Sequence, residues 1–175
     1  QLLAKLTESC VEYVKAQIVA GVDALMIFDT WGGILTPTAY REFSLAPMQA
    51  IIAALRTDVN TQHIPVILFS KGAHASLEQI AHSGCNGISI DWMLDLAAAR
   101  VRTQDHVTLQ GNLDPDVLLA PDYVIEQQVA RVLQSYGKGS RHIFNLGHGI
   151  TPQIEPDKVA VMVDAVHRLS PFYKE

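Results

Sequence analysis

Several common chemistries lack their hallmark residues in this sequence. There are two cysteines, Cys10 and Cys85, and no CxxC pair. A disulfide framework and a thiolate zinc site are therefore not expected, and a reducing compartment suits the chain. No apolar run approaches the length of a membrane span, although hydrophobic residues make up 49% of the chain. No secretory signal is expected ahead of the first helix. Cations are in the minority, with 13 Lys and Arg against 18 Asp and Glu, a net charge of -5. That balance argues against non-specific nucleic-acid binding, which needs a basic surface. The GxGxxG, HExxH and GxSxG patterns are absent. A dinucleotide fingerprint, a helical zinc protease motif and a hydrolase elbow are thus unsupported.

What is present is a regular alternation of helix and strand patterns. Apolar residues recur at helical spacing from Leu2 to Ala20 and stop at Gly21. Further helices are expected over Thr38–Leu55, Ser76–His82, Asp95–Val101, Asp122–Tyr136 and Pro156–Ser170. Short apolar runs at Ala24–Phe28, Pro65–Phe69, Gly87–Ile90, Val107–Gln110 and His142–Asn145 read as strands. Strands separated by helices form βαβ units and a parallel sheet. The runs are apolar rather than alternating, so both faces of every strand are expected to be covered. A chain of 175 residues is long enough for one domain with a real core. It starts at Gln1, inside a helical pattern, and is expected to be a piece of a longer protein.

Five strands in this order fit a doubly wound open sheet or the later part of an eight-stranded β/α barrel. Polar residues cluster just after each strand: Asp29-Thr30-Trp31-Gly32-Gly33, Ser70-Lys71-Gly72, Asp91-Trp92, Gln110 to Asp114, and Asn145 to Gly149. In a barrel these loops converge on the face that carries barrel active sites. An open sheet explains only those at a switch point. The barrel accounts for more of the sequence.

Among single residues, His148 stands out between Gly147 and Gly149. Two glycines let the backbone turn sharply and approach a ligand, and they leave the imidazole unshielded. A bland turn with an incidental histidine is the competing reading. Thr30 offers a hydroxyl that donates and accepts, against a role as a turn cap. Asp29 is either a ligand-facing acid or a structural partner for backbone N–H groups, and the structural role is favoured. Lys71 either meets an anion or pairs with Asp29 or Asp91. Asp91 and Asp114 could work as paired carboxylates, but Asp114-Pro115 is better read as a helix start. His63 and His106 precede strands, the stability end of a barrel. His74, His82 and His167 belong with the helices, and no His–Cys pair has ligand spacing.

These segments resemble the uroporphyrinogen decarboxylase family. The resemblance rests on Phe28 to Gly33, Pro65 to Gly72, Asp91-Trp92, Leu109 to Pro115 and Asn145 to Ile150, in the family's order and with similar spacing. It runs from the first helix to Ala165-Val166-His167. Met93 stands where the family commonly has threonine, and Ser70 where it has alanine or threonine. The resemblance implies an α/β fold, with residues 1–175 a single partial domain forming about strands four to eight of a (β/α)8 TIM-type barrel. It implies a carboxy-lyase that removes the carboxyl groups of four acetate side chains from uroporphyrinogen III to give coproporphyrinogen III. No metal or organic cofactor is implied. A tetrapyrrole substrate, a homodimer and a cytoplasmic location are. Thr30 and His148 match two of the family's substrate-contacting positions.

The family's arginine-rich segment, its pyrrole-binding aspartate and the tyrosine of its first half are missing from this chain. Charge leads to a related expectation. The substrate carries eight carboxylates, while the loop ends offer one firm cation, Lys71, beside several acids. Each exposed like-charged pair at contact distance costs up to about 1 kcal/mol. Cationic anchors are expected from elsewhere, and the isolated chain is expected to be inactive. Two other readings compete. One is a zinc-dependent corrinoid or thiol methyltransferase of the same superfamily. The other is a non-catalytic half-barrel lobe that binds a partner or a porphyrin. A half barrel also leaves strand edges open, so self-association is expected.

Overall fold

The structure, a computed structural model, describes residues 1–174. The chain divides into two compact units, Gln1–Ile88 and the segment from Ser89 onward.

The first unit begins with α1 (Leu2–Val19), followed by β1 (Leu25–Asp29), α2 (Pro37–Tyr40), α3 (Ala46–Arg56), β2 (Val66–Ser70) and α4 (Leu77–Ala81). β1 and β2 run parallel, with Leu25 opposite Val66 and Asp29 opposite Ser70. Thr36 opens α2 by accepting the Ala39 N–H at 3.4 Å, and Pro37 takes the first helical position, where its missing N–H costs nothing. The single helix expected over Thr38–Leu55 is broken into three pieces. Arg41–Leu45 forms a π turn between α2 and α3. The turn sits just ahead of Pro47, which has no N–H to give and whose ring crowds the carbonyl four residues back. Leu55, Val66, Leu68 and Leu77 form the driest part of the core of this unit. No residue of α1 is buried, although its apolar spacing predicts a covered face. It rests beside α3, and Lys15 pairs with Asp58 at 3.2 Å.

β3 (Gly87–Ser89) contains residues of both units, and the strand order is β1-β2-β3-β4-β5. The second unit continues with α5 (Leu96–Thr103), β4 (Thr108–Leu113), α6 (Asp122–Tyr136), β5 (His142–Leu146) and α7 (Pro156–Leu169). β4 and β5 are parallel, with Leu109 opposite His142 and Leu113 opposite Leu146. This pairing carries β4 three residues beyond the expected end at Gln110, because the neighbouring strand supplies partners that local propensity does not foresee. The core of this unit is built from Leu113, Leu118, Ile125, Val129, Leu133 and Ala165.

The expectation that every strand is covered on both faces holds for the middle of the order and fails at its ends. All of β3, and all but the first residue of β4, is buried. β5 alternates half-buried with exposed residues, and Phe28 in β1 is 65% exposed. Terminal strands have a neighbour on one side only, so less of their surface is covered. The fold class is α/β, as expected. Among the described residues no helix is long and apolar enough to cross a membrane.

Candidate functional site

Each of the two sequence-derived site residues stands directly beyond the carboxyl end of a strand, Thr30 in the first unit and His148 in the second.

Around Thr30 the loop after β1 is tied down by its neighbours. The Asp29 carboxylate accepts hydrogen bonds from the Ser44 hydroxyl, from the Trp31 N–H at 3.3 Å and from the Ser70 hydroxyl at 3.5 Å. Tyr40 donates to the Ser70 hydroxyl at 2.9 Å, which extends the network to α2. Asp29 is therefore a structural partner for its surroundings, as the sequence suggested. Burial pushes the Tyr40 phenol above its ordinary range, so it stays a neutral donor. The Lys71 N–H donates to the Asp29 carbonyl at 3.3 Å, and the Gly33 N–H donates to the Lys71 carbonyl at 3.0 Å. A side chain at position 33 would collide with that same carbonyl, so glycine is required by the close approach of the two loops. Among the described residues the Thr30 hydroxyl has no hydrogen-bond partner, and the residue is half-buried. It does not cap a turn. Phe28 and Trp31 flank it and are 65% and 72% exposed. Sequence reasoning treated Phe28 as a buried strand residue. It meets Phe69 edge-on, with centroids 6.0 Å apart, and leaves most of its surface open.

Around His148 the geometry is set by the turn after β3. Asp91 is 1% exposed, and its carboxylate accepts the Met93 N–H at 2.9 Å. That contact places Asp91 in the turn's own framework. The Trp92 ring stands perpendicular to the His148 imidazole, at 89° with centroids 6.4 Å apart. Neither Gly147 nor Gly149 takes a positive φ. The reason for glycine at position 147 is packing: an added Cβ would lie 2.6 Å from the Trp92 nitrogen. At Gly149 the same atom would meet nothing within 4 Å. The two glycines were expected to serve a sharp turn and a ligand, and the structure gives Gly147 a different partner. Its N–H donates to the Leu113 carbonyl at 2.7 Å, which pins the loop to the end of β4. Asp114 caps the helical turn that follows β4, accepting the Asp116 N–H at 3.0 Å, as its Asp-Pro sequence indicated.

At the start of β5 lies a cluster the sequence did not reveal. His142 stacks on Tyr136 with centroids 4.5 Å apart, and Arg100 covers the Tyr136 ring at 4.6 Å. Burial lowers the pKa of His142, against the opposing pull of its contact with the Gly111 carbonyl. The imidazole is therefore neutral near pH 7.

Cys85 is buried and its thiol donates to the Ile80 carbonyl at 3.4 Å; burial raises its pKa, which disfavours the thiolate that zinc requires. Among the described residues no three or more His, Cys, Asp or Glu side chains are grouped to hold a metal ion.

The uroporphyrinogen decarboxylase family model matches residues 1–169. A uroporphyrinogen decarboxylase of Tolumonas auensis is 53% identical over 174 residues, covering 99% of this chain and 49% of that protein. One from Alkalilimnicola ehrlichii is 51% identical over 175 residues, covering 100% of this chain and 48% of that protein. The chain thus spans about half the length of the curated relatives it matches. Among solved structures, a methyltransferase from Methanosarcina mazei superposes with a TM-score of 0.78 at 21% identity, over 93% of this chain and 47% of the other. That likeness concerns the fold, of which this chain forms a part. By sequence, the chain belongs to the uroporphyrinogen decarboxylase family.

Proposed function

We propose that this chain is the carboxyl-terminal portion of a decarboxylase that converts uroporphyrinogen III to coproporphyrinogen III by removing the carboxyl groups of four acetate side chains. Residues 1–175 are read as a single partial domain of a (β/α)8 barrel. The observation that carries the reading is the family match across residues 1–169. The positions of Thr30 and His148 beyond strand ends support it.

Loss of CO2 from an acetate arm leaves an electron pair on carbon. Most enzymes lend a cofactor to receive it. An electron-rich pyrrole serves itself: a proton added to a ring carbon makes the ring cationic, and the ring then takes up the pair. The reaction therefore runs without a metal or organic cofactor. The protein supplies a proton donor, a group matched to the cationic ring, and anchors for carboxylates. Thr30 and His148 are assigned as anchors that hydrogen-bond the substrate. The Thr30 hydroxyl has no partner among the described residues, and a hydroxyl and an imidazole N–H can each donate a hydrogen bond to a carboxylate. The exposed faces of Phe28 and Trp31 offer apolar surface beside Thr30. The ring-matching carboxylate and the basic anchors are assigned to the part of the protein outside this chain. The active protein is taken to be a cytoplasmic homodimer.

The experiment joins this chain to the portion of the Tolumonas auensis relative that it does not match. The joined protein should release coproporphyrinogen from uroporphyrinogen, and the 175-residue chain alone should not. A folded joined protein that leaves uroporphyrinogen untouched overturns the proposal. Conversion by the short chain alone refutes the assignment of essential groups to the other portion.

A further inference from the structure

We propose that Asn112 is a positioning residue for His148, acting through the turn from Asp91 to Leu94 and the Trp92 ring it carries. The functional weight of this inference rests on the reading of His148 as a substrate contact, but the geometry behind it does not.

Asn112 lies in β4 and is 8% exposed. Its side-chain nitrogen donates to the Asp91 carbonyl at 2.9 Å and to the Leu94 carbonyl at 2.6 Å. Both acceptors belong to the turn after β3, so one amide group spans that turn and holds its two ends. Only a side chain with two donors on one nitrogen serves both carbonyls from this position. An aspartate there would face two carbonyl oxygens with acceptors alone. A leucine would leave both carbonyls without their partner in a buried place.

The turn held in this way carries Trp92, whose ring stands perpendicular to the imidazole of His148. The loop after β5 closely approaches the same turn, through Gly147 and the Trp92 backbone nitrogen. It is anchored in turn by the Gly147 N–H on the Leu113 carbonyl. Consecutive residues of β4 therefore hold both pieces of backbone: Asn112 by its side chain holds the Trp92 turn, and Leu113 by its carbonyl holds the His148 loop. A shift of the turn moves the Trp92 ring and, with it, the surface against which the imidazole rests. Supporting groups of this kind decide whether a binding side chain is held in a productive orientation.

The test reads His148 directly in the 175-residue chain, labelled with 13C and 15N at histidine. The ring signals of His148 are identified by their loss in His148→Gln. They should move in Asn112→Asp, in Asn112→Leu and in Trp92→Leu, and return towards the native position in Asn112→Gln. Val129→Ala, a core change in the same unit, should lower stability and leave these signals in place. Folded Asn112→Asp and Asn112→Leu chains with native His148 signals overturn the inference. So does a Val129→Ala chain whose His148 signals move as far. Should neither Asn112 variant fold, Trp92→Leu decides, and unmoved signals overturn the inference. In the joined protein, Asn112→Asp should raise KM severalfold more than it lowers kcat, and it should add little to His148→Gln. Absence of turnover in the unsubstituted joined protein counts against the proposed reaction and leaves the spectroscopic result standing.

Discussion

Gly147 and Trp92 approach so closely that a single methyl group on the glycine would lie 2.6 Å from the tryptophan backbone nitrogen. Glycine at this point of the Asn145–Gly149 segment is a packing requirement between two strand-end loops. Gly147→Ala should therefore destabilise the second unit by about 1–3 kcal/mol, the usual cost of forcing extra volume into a close-packed place. Gly149→Ala, with open space around it, should change stability by less than about 0.5 kcal/mol. Urea unfolding of the two variants checks the contrast. Equal effects would remove the packing explanation.

The Ser44 hydroxyl and the Asp29 carboxylate make the inner contact of the network beneath Thr30. Ser44→Ala removes the donor and leaves a carboxylate short of one partner. A loss of about 1–3 kcal/mol is expected in denaturant unfolding. In the joined protein the same change should also weaken substrate binding, because the loop that presents Thr30 loses one of its ties. Native stability in Ser44→Ala would show that Asp29 is adequately satisfied by Trp31 and Ser70.

His142 gives a pH dependence whose sign follows from its lowered pKa. The unfolded chain takes up a proton near pH 6.5, while the folded chain resists doing so. The stability that His142 contributes is thus fully present above its unfolded pKa and is lost as the pH falls through the folded value. Thermal unfolding of the native chain should show a Tm that drops on acidification below about pH 6.5, the reference value for histidine. His142→Gln should flatten that part of the curve. An unchanged slope in the variant would assign the acid sensitivity to other groups.

Cys10 and Cys85 should differ sharply towards thiol reagents. Cys10 is exposed on α1, and Cys85 is buried with its pKa raised by desolvation. One thiol per chain should react quickly in native buffer, and the second only on unfolding. Labelling followed by mass spectrometry locates them. Fast modification of Cys85 would mean that the segment around α4 opens readily.

Thr30→Val and His148→Gln should each lower kcat/KM of the joined protein about tenfold or more, the loss expected for one hydrogen bond to a charged group. Circular dichroism should remain native, since Thr30 is half-buried and its hydroxyl bonds to no other part of the described chain. Undiminished turnover in both variants would remove them from the substrate site.

The sequence carried most of the secondary structure because local signals were strong. α6 runs from Asp122 to Tyr136 as its spacing and the following Gly137 indicated. Asp114 caps as Asp-Pro suggests, since that dipeptide acts through its own backbone. The departures occur where a distant partner intervenes. β4 continues to Leu113 because β5 pairs with it, and the helix around Pro47 widens into a π turn because proline cannot join the regular ladder. Thr30 and His148 were legible as polar residues on strand-end loops. Asn112 was legible only as a member of the polar cluster Gln110 to Asp114, because the two carbonyls its side chain reaches lie about twenty residues away and no local pattern encodes them.

By itself, the order of residues determined the α/β class, the sites of the βα turns and the family to which the chain belongs, since periodicity, turn chemistry and motif spacing are properties of neighbouring residues. Tertiary structure alone decided which partners hold the scaffolding residues in place. Asp29 is engaged by Ser44, Ser70 and Trp31, Gly147 is required by Trp92, and the His142 imidazole is kept neutral beside Tyr136. The physical reason is common to all three: hydrogen bonding, steric exclusion and desolvation depend on what lies next to a group in space, and folding brings those neighbours from remote parts of the chain.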